Sequence, residues 1–169
     1  LVVEVARSGK RINVKKAQFT APEDVQYVVG KITDCGNSDI MLTERGTCFG
    51  YNNLVVDFRS FSTLRQLGFP VIFDATHSVQ IPSYGGASSG NREYVVPLAK
   101  AAAAYGIDGI FTEVYPDPDS AQCDGPNSLA LDAVTPMLEL VQSIRHIAES
   151  ESAQGQSIDT EAPICSGTQ

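Results

Sequence analysis

Long apolar runs are missing from these 169 residues. None approaches the roughly 18 residues of a membrane span, so no membrane partner is expected. Basic residues are scarce too: 12 Lys and Arg face 20 Asp and Glu, a net charge of −8. Generic nucleic-acid binding needs a basic face, and this balance argues against it. An anionic small molecule stays open, because a few local cations outweigh distant carboxylates screened over roughly 10 Å. Paired cysteines are absent. Cys35, Cys48, Cys123 and Cys165 are scattered with no CxxC, which signals neither a zinc ribbon nor a redox dithiol. The opening LVVEVARSGK lacks the basic-then-apolar-then-small order of a secretory signal, and no Met precedes it. Reduced thiols, a cytoplasmic location and a piece of a longer protein are the expectations.

What is present suffices for one ordinary core, at 43% hydrophobic residues. Short apolar strands alternate with amphipathic helices. Leu1 to Ser8 reads as a helix end stopped by Gly9, and Ile12 to Lys15 as a strand. Thr20 to Glu23 fits a capping box. Val25, Val28, Val29 and Ile32 then mark one helical face that ends at Gly36. Asp39 to Thr43 is the second strand. Phe58 to Leu67 reads as a helix capped by Ser60, and Pro70 to Phe73 as the third strand. A Gly/Ser-rich loop runs from Ser78 to Gly90; its part from Ser83 onward is either a lid or a plain connector. Arg92 to Tyr105 is an Ala-rich helix in which Pro97 demands a kink or a late start. Gly109 to Thr112 is the last strand, and Val134 to Ile147 a long final helix. Residues 151–169 lack apolar period and read as a disordered polar tail beyond one domain of residues 1–150.

Strand–helix units therefore recur about every 30 residues, the pitch of a (β/α)8 barrel, and imply parallel pairing. Four such units make half a barrel; a flavodoxin-like open sheet is the alternative. The barrel is favoured because polar groups crowd the C-terminal end of each strand and no GxGxxG opens any helix. Loops after the strands form the active face of such folds. Lys15, Arg45, His77 and Glu113 each follow an apolar strand. Taken singly, each is more often a surface charge, an ion pair or a packed histidine; four on equivalent strand ends favour a site. Lys15 and Arg45 suit an anion clamp, the Arg fork holding phosphate or carboxylate at two points. His77, Glu113 and Asp124 are either three ligands for a divalent ion such as Mn, Fe or Zn, or an acid/base group with orienting carboxylates.

INVKKAQF, TERGTCFGYNNLVVDFRS, FDATHSVQ, the helix opening at Asn91-Arg92-Glu93 and CDGPNSL together resemble the 3-deoxy-D-manno-octulosonate 8-phosphate synthase family. The resemblance is almost continuous from Leu1 to about Ser150. DATHS after a strand, with ERGTxFGYNNLVVD, separates this family from its sister, the 3-deoxy-D-arabino-heptulosonate 7-phosphate synthases.

The resemblance implies a (β/α)8 barrel, of which this chain covers roughly the last four units, assembled as a homotetramer. It implies condensation of phosphoenolpyruvate with D-arabinose 5-phosphate and water, releasing phosphate, on the route to the lipopolysaccharide sugar Kdo. Carbon 3 of phosphoenolpyruvate attacks the sugar aldehyde, water adds at carbon 2, and the C–O bond to phosphate breaks. Carried over by motif, Lys15 and Arg45 bind phosphoenolpyruvate. His77 lies near its phosphate and, with Asp124, acts in catalysis. His77, Glu113 and Asp124 are metal ligands in the metal-dependent branch only. CDGP resembles the metal-independent form and DATHSVQ the metal-dependent one; no cofactor is favoured, with a divalent metal as the alternative. The family's arabinose 5-phosphate motif and a further phosphoenolpyruvate lysine are not in this chain, which is therefore expected to be inactive and poorly stable alone. The rivals are a heptulosonate synthase using erythrose 4-phosphate and an inactive half-barrel.

Overall fold

The computed structural model describes residues 1–81 and 89–154. Most of the candidate lid, Cys165 and the tail from residue 155 lie outside them. The frame is a four-stranded parallel sheet of β1 (Ile12–Lys15), β2 (Ile40–Glu44), β5 (Val71–Asp74) and β8 (Gly109–Phe111). Its order is β1-β2-β5-β8, each strand beside the next in the chain, without the reversal that marks a doubly wound sheet. Around it stand α1 (Val2–Ala6), α2 (Val25–Thr33), α3 (Arg59–Arg65), α4 (Val95–Tyr105) and α5 (Leu131–Gln154). Three small pairs decorate the ends: β3 (Thr47–Cys48) with β4 (Leu54–Val55), β6 (Gln80–Ile81) with β7 (Ser89–Gly90), and β9 (Val114–Tyr115) with β10 (Leu129–Ala130). Two-residue strands carry too little pattern to be seen in the sequence, and none of these six was expected.

Register explains how the sheet positions a site. Residues in register share a face, and the face alternates along each strand. Leu42 pairs with Val71 and Glu44 with Phe73. Ile40, Leu42, Val71 and Phe73 are buried against Val29, Ile32, Phe61, Leu64, Val95 and Ala99 from the helices. Phe61 meets Phe73 edge-on at 5.8 Å and Tyr105 at 5.6 Å, so an aromatic knot ties α3 and α4 to the sheet. The opposite parity carries Asn13, Lys15, Thr43, Asp74 and Phe111, with Lys15 in register with Thr43 and Asp74 with Phe111. One face is thus the core, and the other mixes these polar groups with Met41, Ile72 and Phe111.

Pro97 falls in the first turn of α4, where its missing N–H leaves no helical bond unmade, and a short 3-10 turn over Arg92–Tyr94 precedes the helix. This is the late start expected. Thr20 makes no cap, because a 3-10 turn over Pro22–Asp24 leads into α2 instead. Ser60 is not a cap either: it sits buried inside α3. Asp57 takes that role, accepting the Arg59 N–H at 3.0 Å and the Arg59 guanidinium at 2.8 Å. The final helix also continues past Ser150 to Gln154, an extension into the predicted tail that Arg145–Glu149 pairing at 2.7 Å supports from the preceding turn.

Directly after β1, Lys16 is driven into the interior. Its ammonium lies 3.5 Å from Glu44, and both side chains are 1% exposed. Lys16 Nζ also donates to Thr47 Oγ1 at 3.0 Å and to the Gly46 carbonyl, while Glu44 Oε1 accepts the Gly46 N–H at 2.6 Å. This buried pair fixes the turn after β2. Gly46 has φ +88° and its missing Cβ would stand 3.1 Å from Leu54 Cβ, so the turn needs glycine. Removing one partner leaves an uncompensated buried charge. Lys16→Met is expected to cost about 3–5 kcal/mol in urea unfolding, and the double variant Lys16→Met/Glu44→Leu to recover most of it. A near-neutral single variant would contradict this role for the pair.

Candidate functional site

Asp74, the last residue of β5, has no exposed surface. A buried carboxylate must be hydrogen-bonded and paired, and here four donors converge on it. Lys15 Nζ and His77 Nδ1 each lie 2.8 Å from Oδ2. Oδ1 accepts the His77 backbone N–H at 2.9 Å and the Thr76 hydroxyl at 3.2 Å. Burial pushes the Asp74 carboxyl up, but bonds from His77 and Lys15 together outweigh it and hold the group below its ordinary value. Lys15 Nζ also sits 3.4 Å above the Phe111 ring, so an aromatic face and a carboxylate share its charge.

That arrangement orients the imidazole. Because ionised Asp74 can only accept, the neutral ring carries its proton on Nδ1. Nε2 then looks away from Asp74 and lies 3.7 Å from Glu113 Oε1. Thr76 links the two loops concerned, since its hydroxyl also accepts the Glu113 N–H at 3.1 Å. On the other side, Arg45 reaches the His77 carbonyl at 3.5 Å and donates to Gln80 Oε1 at 3.1 Å. Gln80 Nε2 in turn donates to Asp124 at 3.2 Å. Asp124 has the left-handed φ of +52°, which short polar side chains tolerate. Its carbonyl accepts the Asn127 and Ser128 N–H groups and the Ser128 hydroxyl.

The structure therefore joins Lys15, His77 and Glu113 through Asp74 and Thr76, and Arg45 and Asp124 through Gln80. Arg45 touches His77 through the backbone carbonyl, not through the imidazole. Three connecting residues, Asp74, Thr76 and Gln80, were missed. Asp74 was visible only as a polar end to an apolar strand, and Gln80 gave no signal, since its partners lie 35 and 44 positions away. As a metal centre the fit is poor: among the described residues no three His, Cys, Asp or Glu side chains form a group able to hold an ion. Asp124 is engaged by Gln80 rather than meeting His77 and Glu113.

The depressed Asp74 pKa gives a signed prediction. A carboxyl lowered on folding contributes stability above its unfolded pKa of about 3.9 and loses it as pH falls through the lower folded value. Asp74→Asn is expected to be destabilised at pH 7 and to show a shallower acid limb than wild type in thermal unfolding from pH 6 to 2. Parallel limbs would contradict the pairing.

The sequence profile described as the DAHP synthetase I family matches residues 1–150. Curated relatives are similar over the same span. The 2-dehydro-3-deoxyphosphooctonate aldolase of Desulfotalea psychrophila is 56% identical over 150 residues, covering 88% of this chain and 54% of that protein. The identically named protein of Geobacter sulfurreducens is 57% identical over 150 residues, covering 88% and 55%. That of Desulfatibacillum aliphaticivorans is 57% identical over 149 residues, covering 88% and 55%. The chain thus spans about half the length of the curated relatives it matches. With its parallel α/β frame and its cations at the strand ends, the chain belongs to the DAHP synthetase I family.

Proposed function

We propose that this chain is the phosphoenolpyruvate-gripping half of a 2-dehydro-3-deoxyphosphooctonate aldolase, supplying the last four βα units of a (β/α)8 barrel. The whole enzyme, a cytoplasmic homotetramer, condenses phosphoenolpyruvate with D-arabinose 5-phosphate and water, and releases phosphate on the route to Kdo and lipopolysaccharide. The observation that carries this reading is the contact network that gathers Lys15, Arg45 and His77 at one end of a parallel sheet. The curated relatives' shared name supports the same activity.

The residues divide the work by chemistry. Phosphoenolpyruvate presents a carboxylate and a phosphate close together, and two fixed cations in a water-poor site suit both groups. Arg45 offers the planar fork and Lys15 the point charge. Lys15 is held by Asp74 over Phe111, so its ammonium is placed before substrate arrives. His77, with Nδ1–H held by Asp74, leaves Nε2 as the free proton acceptor in the neutral ring; once Nε2 is also protonated, the imidazolium can hand that proton to the leaving phosphate and return to the Nδ1–H form. Asp124 is the second acid/base group, suited to the water that adds at carbon 2. The proposal assigns no step to a metal. His77, Glu113 and Asp124 as ligands for Mn, Fe or Zn remain the alternative.

The test joins this chain to the half of the Geobacter sulfurreducens relative that it does not match. Phosphate release is then followed with either D-arabinose 5-phosphate or erythrose 4-phosphate, with and without chelator. Turnover with arabinose 5-phosphate that survives chelation is expected, with no turnover by this chain alone. Arg45→Ala is expected to lose at least about 10²-fold. Preference for erythrose 4-phosphate would establish the heptulosonate rival. Loss on chelation with recovery on adding Mn would establish the metal alternative. A folded, inactive chimera would overturn the reading.

A further inference from the structure

Arg45 and Asp124 carry opposite charges and are both partly buried, yet no ion pair joins them. The side chain between them is Gln80. Arginine has only donors, so the Gln80 atom 3.1 Å from its guanidinium is the carbonyl oxygen. Ionised aspartate has only acceptors, so the atom 3.2 Å from Asp124 Oδ1 is the amide nitrogen. Both ends agree on one orientation of the amide. Gln80 is itself anchored in β6, which pairs with β7.

From this geometry we infer that Gln80 is a positioning residue, a neutral spacer that satisfies Arg45 and Asp124 separately and keeps them from collapsing into a direct ion pair. The inference rests on the reading of Arg45 as part of the anion grip and explains how that grip stays available. An arginine paired with a carboxylate is already neutralised, and an incoming phosphate would have to displace that partner. An arginine held by an amide carbonyl keeps its full charge and gives up a weaker bond. A glutamate of the same shape would fail at both ends, neutralising Arg45 and placing a second carboxylate against Asp124. Asparagine is shorter by a methylene and would not span both partners.

The experiment compares wild type, Gln80→Ala, Gln80→Glu and the double variant Gln80→Ala/Asp124→Asn, each in the chimera that completes the chain. Crystal structures report the shortest Arg45–Asp124 distance, and calorimetry reports phosphoenolpyruvate affinity. In Gln80→Ala the two charged groups are expected to move within 4 Å, and phosphoenolpyruvate to bind about tenfold more weakly. Gln80→Glu is expected to bind it more weakly still. Asp124→Asn in the Gln80→Ala background is expected to restore affinity to within about threefold of wild type, because the competing carboxylate is gone. A merely structural role for Gln80 would not give that rescue. Gln80→Ser supplies the same readouts if Gln80→Ala does not fold. Arg45 and Asp124 staying apart in the truncated variants, or weakened binding without rescue, would overturn the spacer. If the two groups pair in Gln80→Ala while wild type binds no phosphoenolpyruvate, the spacer stands and the substrate reading falls.

Discussion

Burying a carboxylate without cancelling its charge is prohibitively unfavourable, and the site is arranged around that constraint at Asp74. Its side chain has no contact with solvent, so the cation of Lys15 and the imidazole of His77 are drawn onto the same oxygen. Neither is free to wander, though neither is fully buried: Lys15 is one third exposed and His77 less so. Part of each stays exposed, and the buried anion behind sets its position. Removing Asp74 would therefore unsettle Lys15 and His77 together.

The parallel sheet makes this possible through its two-residue period. Along β5, Val71 and Phe73 point into the helix-covered core while Asp74 lies on the other parity. In β1 the same alternation separates Val14 from Lys15. A shift of one residue in either strand would exchange core and site, so packing of Val71, Phe73 and Leu42 also locks the chemistry in register. The Lys16–Glu44 pair adds a second lock beneath the Gly46 turn, next to Arg45. Fold stability and site geometry thus draw on the same residues.

Much of this was legible in the sequence because it is local. The strand Ile12–Lys15 shows its alternation, Gly68 and Gly106 stop their helices with positive φ, and Pro97 announces a late helix start. The cations and the histidine were legible as polar ends to apolar strands. What joins them was not. Asp74, Thr76 and Gln80 act through partners across loops, and spacing along the chain gives no measure of that closeness. Ser60 shows the opposite error: its type suits a cap, but Asp57 three residues earlier already serves the first turn of α3, and Ser60 is carried into the core. Residue type and family resemblance grouped His77, Glu113 and Asp124, but neither could show that Asp124 would accept a hydrogen bond from Gln80.

The central claim is that a buried carboxylate dictates which nitrogen of His77 carries the proton. Nitrogen-15 NMR of the imidazole, above the pH at which the ring loses its second proton, reads this directly. The account predicts the Nδ1–H tautomer, against the Nε2–H form that free histidine prefers, and its loss in Asp74→Asn. A wild-type ring protonated on Nε2 would show that Asp74 does not hold the histidine, and the organisation of the site described above would fail with it.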